Sequence, residues 1–121
     1  MTLKLNHLHL KTPDPEKTAR FYVDVLGATM VHCSASGTYR LDLHGLALNV
    51  SRFLPEQKRR QIYGMEHIAV DTDELDALVD KLKLQGIPIL EETTVSGGRR
   101  VCFFEGPEGV QLEFIEMKAS K

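Results

Sequence analysis

Gly109-Val110-Gln111-Leu112-Glu113-Phe114-Ile115-Glu116 is the stretch on which the fold turns. Side chains of a strand alternate between two faces, and this run alternates. Val110, Leu112 and Phe114 fall on one face, Gln111, Glu113 and Ile115 on the other. Glu113 therefore shares a face with Ile115, and a carboxylate on a partly apolar face is costly unless it is paired or bound to a cation. Two histidines far upstream, His7 and His67, are the candidate partners.

Working back from that strand, each histidine falls in a strand of its own. Leu3 to Lys11 alternates with Leu3, Leu5, His7, His9 and Lys11 on one face, so His7 and His9 point the same way. Met65 to Asp71 places Met65, His67 and Ala69 together. Thr12-Pro13-Asp14-Pro15 ends the first strand, and Thr12 or Asp14 is placed to cap a helix running through Glu16 to Leu26. Its expected buried stripe is Phe21, Tyr22, Val25 and Leu26, and Gly27 stops it. Three short strands follow, at Thr29 to Cys33, Thr38 to Leu43 and Leu46 to Phe53, with turns at Ser34 to Gly37 and at His44-Gly45. Leu54 to Tyr63 is polar and reads as a linker whose basic cluster is a solvated surface. Thr72 or Asp73 is expected to cap a second helix, Glu74 to Gln85, with the stripe Leu75, Leu78, Val79 and Leu82. Strands are expected at Ile87 to Glu91 and Arg99 to Glu105, with a flexible loop at Thr93 to Gly98 between them. Gly106-Pro107-Glu108-Gly109 is a turn, and Ala119 to Lys121 a polar tail.

The chain thus says strand, helix, strand, strand, strand twice. Asn6-His7-Leu8-His9-Leu10 matches Glu66-His67-Ile68-Ala69-Val70, Thr12 matches Thr72, and Gly27 matches Gly86. His44-Gly45-Leu46-Ala47-Leu48-Asn49 matches Glu108-Gly109-Val110-Gln111-Leu112-Glu113. His7 is equivalent to His67, and Asn49 to Glu113. One such unit cannot cover both faces of its sheet. The expected fold is α+β, with two tandem βαβββ modules related by a pseudo-twofold and curled around a shared cavity. Residues 1–121 are expected to form one domain, with module one at about 3–53, a linker at about 54–63 and module two at about 64–117.

Composition narrows the function. The 121 residues suffice for one domain, and the net charge of -2 gives no support for nucleic acid or an anionic membrane as partner. No apolar run is long enough to span a bilayer, and Met1 to Leu5 carries no signal-peptide pattern, so a cytoplasmic location is expected. Cys33 and Cys102 lack metal-clip spacing, and Cys102, inside Val101-Cys102-Phe103-Phe104, reads as a buried thiol. Two imidazoles and one carboxylate form a competent set for Zn, Ni, Mn or Fe(II), with positions left open for substrate or water. His7, His67 and Glu113 are the expected metal ligands, Glu113 and His9 the expected catalytic groups, His9 as a hydrogen-bonding or acid/base partner. Arg99 and Arg100 face opposite ways, so at most one meets a substrate. Tyr39 and Phe103 read as wall or core residues, and His32 and His44 find no partner.

Asn6 to Leu10, Phe21-Tyr22-Val23-Asp24-Val25-Leu26-Gly27, His67 to Val70 and Gly106 to Glu113 together resemble the vicinal oxygen chelate superfamily. That group includes glyoxalase I, methylmalonyl-CoA epimerase, fosfomycin-resistance transferases, extradiol dioxygenases and bleomycin-binding proteins. The resemblance covers nearly the whole chain. It implies paired βαβββ modules, a homodimer, a small-molecule substrate, and a divalent metal held by residues matching His7, His67 and Glu113. The implied chemistry is electrophilic: the metal chelates two neighbouring oxygens and stabilises an enolate or alkoxide. Glyoxalase I and the epimerases place Glu or Gln at the position matching Asn49, whereas Asn49 is shorter. The three-ligand set resembles the fosfomycin-resistance enzymes, but their phosphonate-binding lysine and tyrosine match Thr93 and Phe103 here. A metal-free drug- or metabolite-binding protein of the bleomycin-resistance type is the alternative within the same fold.

Overall fold

The computed structural model describes residues 2–118, so the tail at Ala119 to Lys121 lies outside the described residues. These residues form eight strands and two α-helices in the order β1 (Leu3–Lys11), α1 (Pro15–Leu26), β2 (Thr29–Cys33), β3 (Tyr39–Leu43), β4 (Leu46–Ser51), β5 (Gly64–Thr72), α2 (Leu75–Leu84), β6 (Ile89–Val95), β7 (Arg99–Glu105) and β8 (Gln111–Glu116). The βαβββ unit therefore occurs twice in an α+β chain. Two compact units result: His7–Glu66, and residues 2–6 with 67–118.

In the first unit the strand order is β2-β3-β4-β1. β1 pairs with β4 in parallel, while β3 pairs antiparallel with both β4 and β2. Asp14 caps α1, its carboxylate accepting from the Lys17 N–H at 3.1 Å, with Pro15 at the first helical position. Such a cap is worth about 1 kcal/mol. Gly27 closes the helix at φ 75°, a left-handed geometry that favours glycine. The buried face of α1 differs from the expected stripe. Phe21 is 55% exposed, Val25 64% and Leu26 44%, while Ala19 is fully buried and Tyr22 and Val23 pack beside it. The helix carries apolar residues on two faces, and the one with the smallest side chain seats closest on the sheet. Ala19 reaches Leu10, Leu41, Leu48 and Val50, which form this unit's core.

In the second unit the order is β5-β8-β7-β6. β5 and β8 are parallel, and β7 is antiparallel to β8 and β6. Helix α2 buries Leu75, Leu78, Val79 and Leu82, as its spacing predicts. Leu75, Val79 and Leu82 pack on Cys102 and Phe104, joined by Leu112 and Phe114 from β8. Glu74 occupies the cap position without a side-chain cap bond. Thr72 acts two residues earlier, its hydroxyl accepting from the Glu74 N–H at 3.0 Å. β6 starts later than expected and runs on to Val95, so the expected loop at Thr93 to Gly98 contracts to a single turn at Ser96–Gly98. Cross-strand pairing of Thr93, Thr94 and Val95 with Val101, Arg100 and Arg99 extends the hairpin that far.

The repeat extends to backbone detail. Among the described residues, His44 (φ 52°) and Glu108 (φ 63°) are the non-glycine residues with left-handed φ, and they occupy equivalent positions. Each precedes a glycine, Gly45 or Gly109, that also takes positive φ. Thr12 repeats the Thr72 turn, accepting from the Asp14 N–H at 3.2 Å.

Candidate metal centre

The alternation of β8 places Gln111, Glu113 and Ile115 on the buried face. Ile115 joins Ala69, Val101 and Phe103 in an apolar cluster, and Glu113 projects beside it. Register puts Glu113 level with Ala69 on β5 and Phe103 on β7. His67, two residues before Ala69, shares that face. Its Nε2 lies 3.2 Å from Glu113 Oε1, with the two side chains 5% and 6% exposed. The edge of its ring meets Phe103 at right angles, with centroids 5.2 Å apart. The second unit thus holds an imidazole and a carboxylate in near-complete burial, and Phe103 is their wall.

His7 is buried in the first unit, and His9 is half-buried on the same strand face. Their ring centroids are 5.9 Å apart at 61°. His9 Nε2 lies 2.8 Å from Ser51 Oγ, and that hydroxyl donates to Arg52 O at 3.0 Å. Asn49 is level with His9 across the parallel pairing of β1 and β4. Ser51 lies two residues beyond Asn49 on β4 and shares its face, as strand alternation requires.

Lys11 is the side chain that sequence reading missed most completely. It is 1% exposed. Its ammonium donates to Gln57 Oε1 at 2.9 Å and Gln61 Oε1 at 2.7 Å, and lies 3.5 Å from Glu66 Oε2. Arg59 approaches the other oxygen of Glu66 at 3.1 Å. Burial pulls the Lys11 pKa below its ordinary value, against the opposing pull of Glu66. The segment at 54–63 is therefore more than a solvated linker: Gln57, Arg59 and Gln61 turn inward onto buried charges. Gln61 also holds Leu54 at both its N–H and C=O, at 2.7 and 2.9 Å.

The remaining polar residues have structural duties. His44 Nε2 lies 2.6 Å from Leu26 O, which ties it to the last turn of α1. Cys102 is buried, its thiol pushed up to about 11 by that burial, while Cys33 is exposed. Arg100 clamps Glu116 at 2.6 Å and Asp76 at 2.8 Å. Hydrogen bonding to Arg100, then its charge, holds the Asp76 carboxyl below the usual carboxylate range. A depressed carboxylate contributes stability above its unfolded pKa, and that contribution is lost as pH falls through the folded value. Arg100→Met is thus expected to raise the Asp76 titration midpoint toward the ordinary value of about 3.9. Carbon-detected NMR titration reads this directly, and an unmoved midpoint would contradict the pairing.

Comparison with known proteins agrees with this fold. The family model described as glyoxalase/bleomycin resistance protein/dioxygenase superfamily matches residues 4–114. A lactoylglutathione lyase of Haemophilus influenzae is 28% identical over 130 residues, covering 98% of this chain and 96% of its own. The metallothiol transferase FosB of Lysinibacillus sphaericus is 33% identical over 115 residues, covering 91% of this chain and 79% of its own. The crystal structure of methylmalonyl-CoA epimerase from Mycobacterium tuberculosis superposes with a TM-score of 0.71 at 19% identity, over 97% of this chain and 89% of that one. Among the described residues no helix is long and apolar enough to cross a membrane. With two βαβββ units and a family match over nearly its whole length, the chain belongs to the glyoxalase/bleomycin resistance protein/dioxygenase superfamily.

Proposed function

We propose that residues 1–121 form one domain that acts as a divalent-metal-dependent enzyme on a small molecule bearing neighbouring oxygens, with lyase or transferase chemistry of the glyoxalase kind. The observation that carries this reading is the buried pair of His67 and Glu113 at 3.2 Å. An imidazole and a carboxylate on adjacent strands, both withdrawn from water, are a donor set suited to Zn, Ni, Mn or Fe(II). His7, equivalent to His67 in the repeat and buried like it, is the third proposed ligand. His9 serves the same centre. The relatives named a lactoylglutathione lyase and a metallothiol transferase support a small-molecule substrate.

A bound divalent ion would supply a Lewis acid for charge developing on substrate oxygen. The chain's own residues supply the rest. Phe103 fixes the His67 ring and keeps water from that side. Glu113 brings the negative charge that balances the cation, and as the site's carboxylate it is the group able to take a proton from a bound carbon acid. A homodimer belongs to the same proposal: Phe21, Val25 and Val31 expose apolar surface in the first unit that a second copy would cover. Sedimentation equilibrium showing a monomer at micromolar concentration would remove the dimer from the proposal.

The test is metal content of protein purified without an affinity tag, wild type beside His67→Ala. The expected result is about one equivalent per chain, lost in the variant. Screening of thiol adducts of diketones, epoxides and catechols then follows. A wild-type protein that takes up none of Zn, Ni, Mn or Fe(II) would overturn the metal reading. The fold would then be serving as a metal-free binding protein of the bleomycin-resistance type.

A further inference from the structure

The two units repeat the same topology but differ at the cross-strand pair that holds Glu113. In the second unit, Ala69 on β5 is level with Glu113 on β8. At the equivalent place in the first unit, His9 on β1 is level with Asn49 on β4. One unit pairs a small residue with a long donor. The other pairs a long donor with a short amide, and the donor has changed strands. We infer that His9 is a further ligand of the metal, supplying through Nδ1 the donor that Asn49 is too short to provide. This inference rests on the metal reading above and assigns His9 to the ion rather than to proton transfer.

The hydrogen bonds of His9 fix which nitrogen does this. A serine hydroxyl has one hydrogen. Ser51 spends it on Arg52 O at 3.0 Å. With that hydrogen assigned to Arg52 O, Ser51 Oγ, 2.8 Å from His9 Nε2, is the acceptor and Nε2 carries the proton, which is the tautomer the inference assigns. In the neutral ring Nδ1 then bears the lone pair. Ring orientation and tautomer are set from behind by a hydroxyl that is itself anchored to backbone. Metal-ligating histidines show this arrangement: one nitrogen on the ion, the other N–H donated to an oxygen, which fixes the tautomer. His9 is half-buried, and its ring is 5.9 Å, centroid to centroid, from that of His7 on the same strand face. Two imidazoles in that relation can serve one ion.

The experiment is a Zn(II) titration of untagged, nitrogen-labelled protein, followed by long-range nitrogen–proton correlation of the histidine rings. The expected result is three responding rings, His7, His9 and His67. In His9 the Nδ1 resonance moves while Nε2 stays protonated. If His7 and His67 respond and His9 does not, the inference is overturned and the metal reading stands. If no ring responds, both fall. A second arm uses Ser51→Ala and Ser51→Thr with a chromophoric chelator as competitor. Losing the outer partner of a metal-bound histidine costs about 10–100-fold in affinity. Ser51→Ala is expected to show that loss and Ser51→Thr, which keeps the hydroxyl, to recover most of it. An unchanged Zn(II) affinity in Ser51→Ala would count against the assignment.

Discussion

Glu66→Ala is expected to destabilise the protein by about 3–5 kcal/mol, the usual cost of leaving a buried charge without its partner. Glu66 is 2% exposed and faces two cations, Lys11 at 3.5 Å and Arg59 at 3.1 Å. Removing it leaves two positive charges facing each other in a region that water does not reach. Lys11→Met is expected to cost less, because Glu66 then keeps Arg59 and the methionine stem fills the channel of the lysine stem. Chemical denaturation of both variants decides the matter. If Lys11→Met proved the more damaging, the stem and its glutamine bonds would be the main contribution and the ion pair a passenger. The Lys11 pKa lies below its unfolded value because of burial. Between the two values the unfolded chain holds more protons, so this group makes stability rise with pH through the alkaline window below about 10.4.

Such a network is hard to read from sequence for a physical reason. Lys11 alternates onto the face of His7 and His9, but its local pattern names no partner for its charge. Its partners lie 46 and 50 positions away, in a segment that composition marks as polar surface. Only tertiary packing brings a glutamine pair and a glutamate to the ammonium. The same logic explains α1. Phe21 and Val25 satisfy helical spacing as well as Ala19, Tyr22 and Val23 do, and sequence reading favoured the larger residues. Close packing of helix on sheet favoured the smallest, leaving Phe21 55% exposed. What was legible rested on period two and on repetition. The alternation around Glu113 predicted its buried face, and the match between His44-Gly45 and Glu108-Gly109 predicted two equivalent turns, which the structure shows to share left-handed backbone. Local patterns repeated within one chain are tested twice, and long-range polar contacts are not tested at all.

The second large effect is expected at Glu113. Glu113→Gln keeps shape and hydrogen-bonding reach while removing the charge. In metal-free protein, little destabilisation is expected. A buried carboxylate 3.2 Å from an imidazole is replaced by a neutral amide of the same shape, and burying the neutral group costs less. With Zn(II) present the order reverses. Loss of a charged ligand exceeds the 10–100-fold cost of losing an outer-sphere partner, so affinity should fall by more than about 100-fold. Binding stabilises the folded state by RT ln(1 + [L]/Kd), so a 100-fold weaker Kd at saturating metal removes about 2.7 kcal/mol of that stabilisation. Thermal unfolding with and without Zn(II), for wild type and variant, isolates this difference, because any metal-independent cost appears in both conditions and cancels. If Zn(II) stabilised Glu113→Gln as much as wild type, Glu113 would serve only to orient His67, and the ion would have to be held by the imidazoles alone.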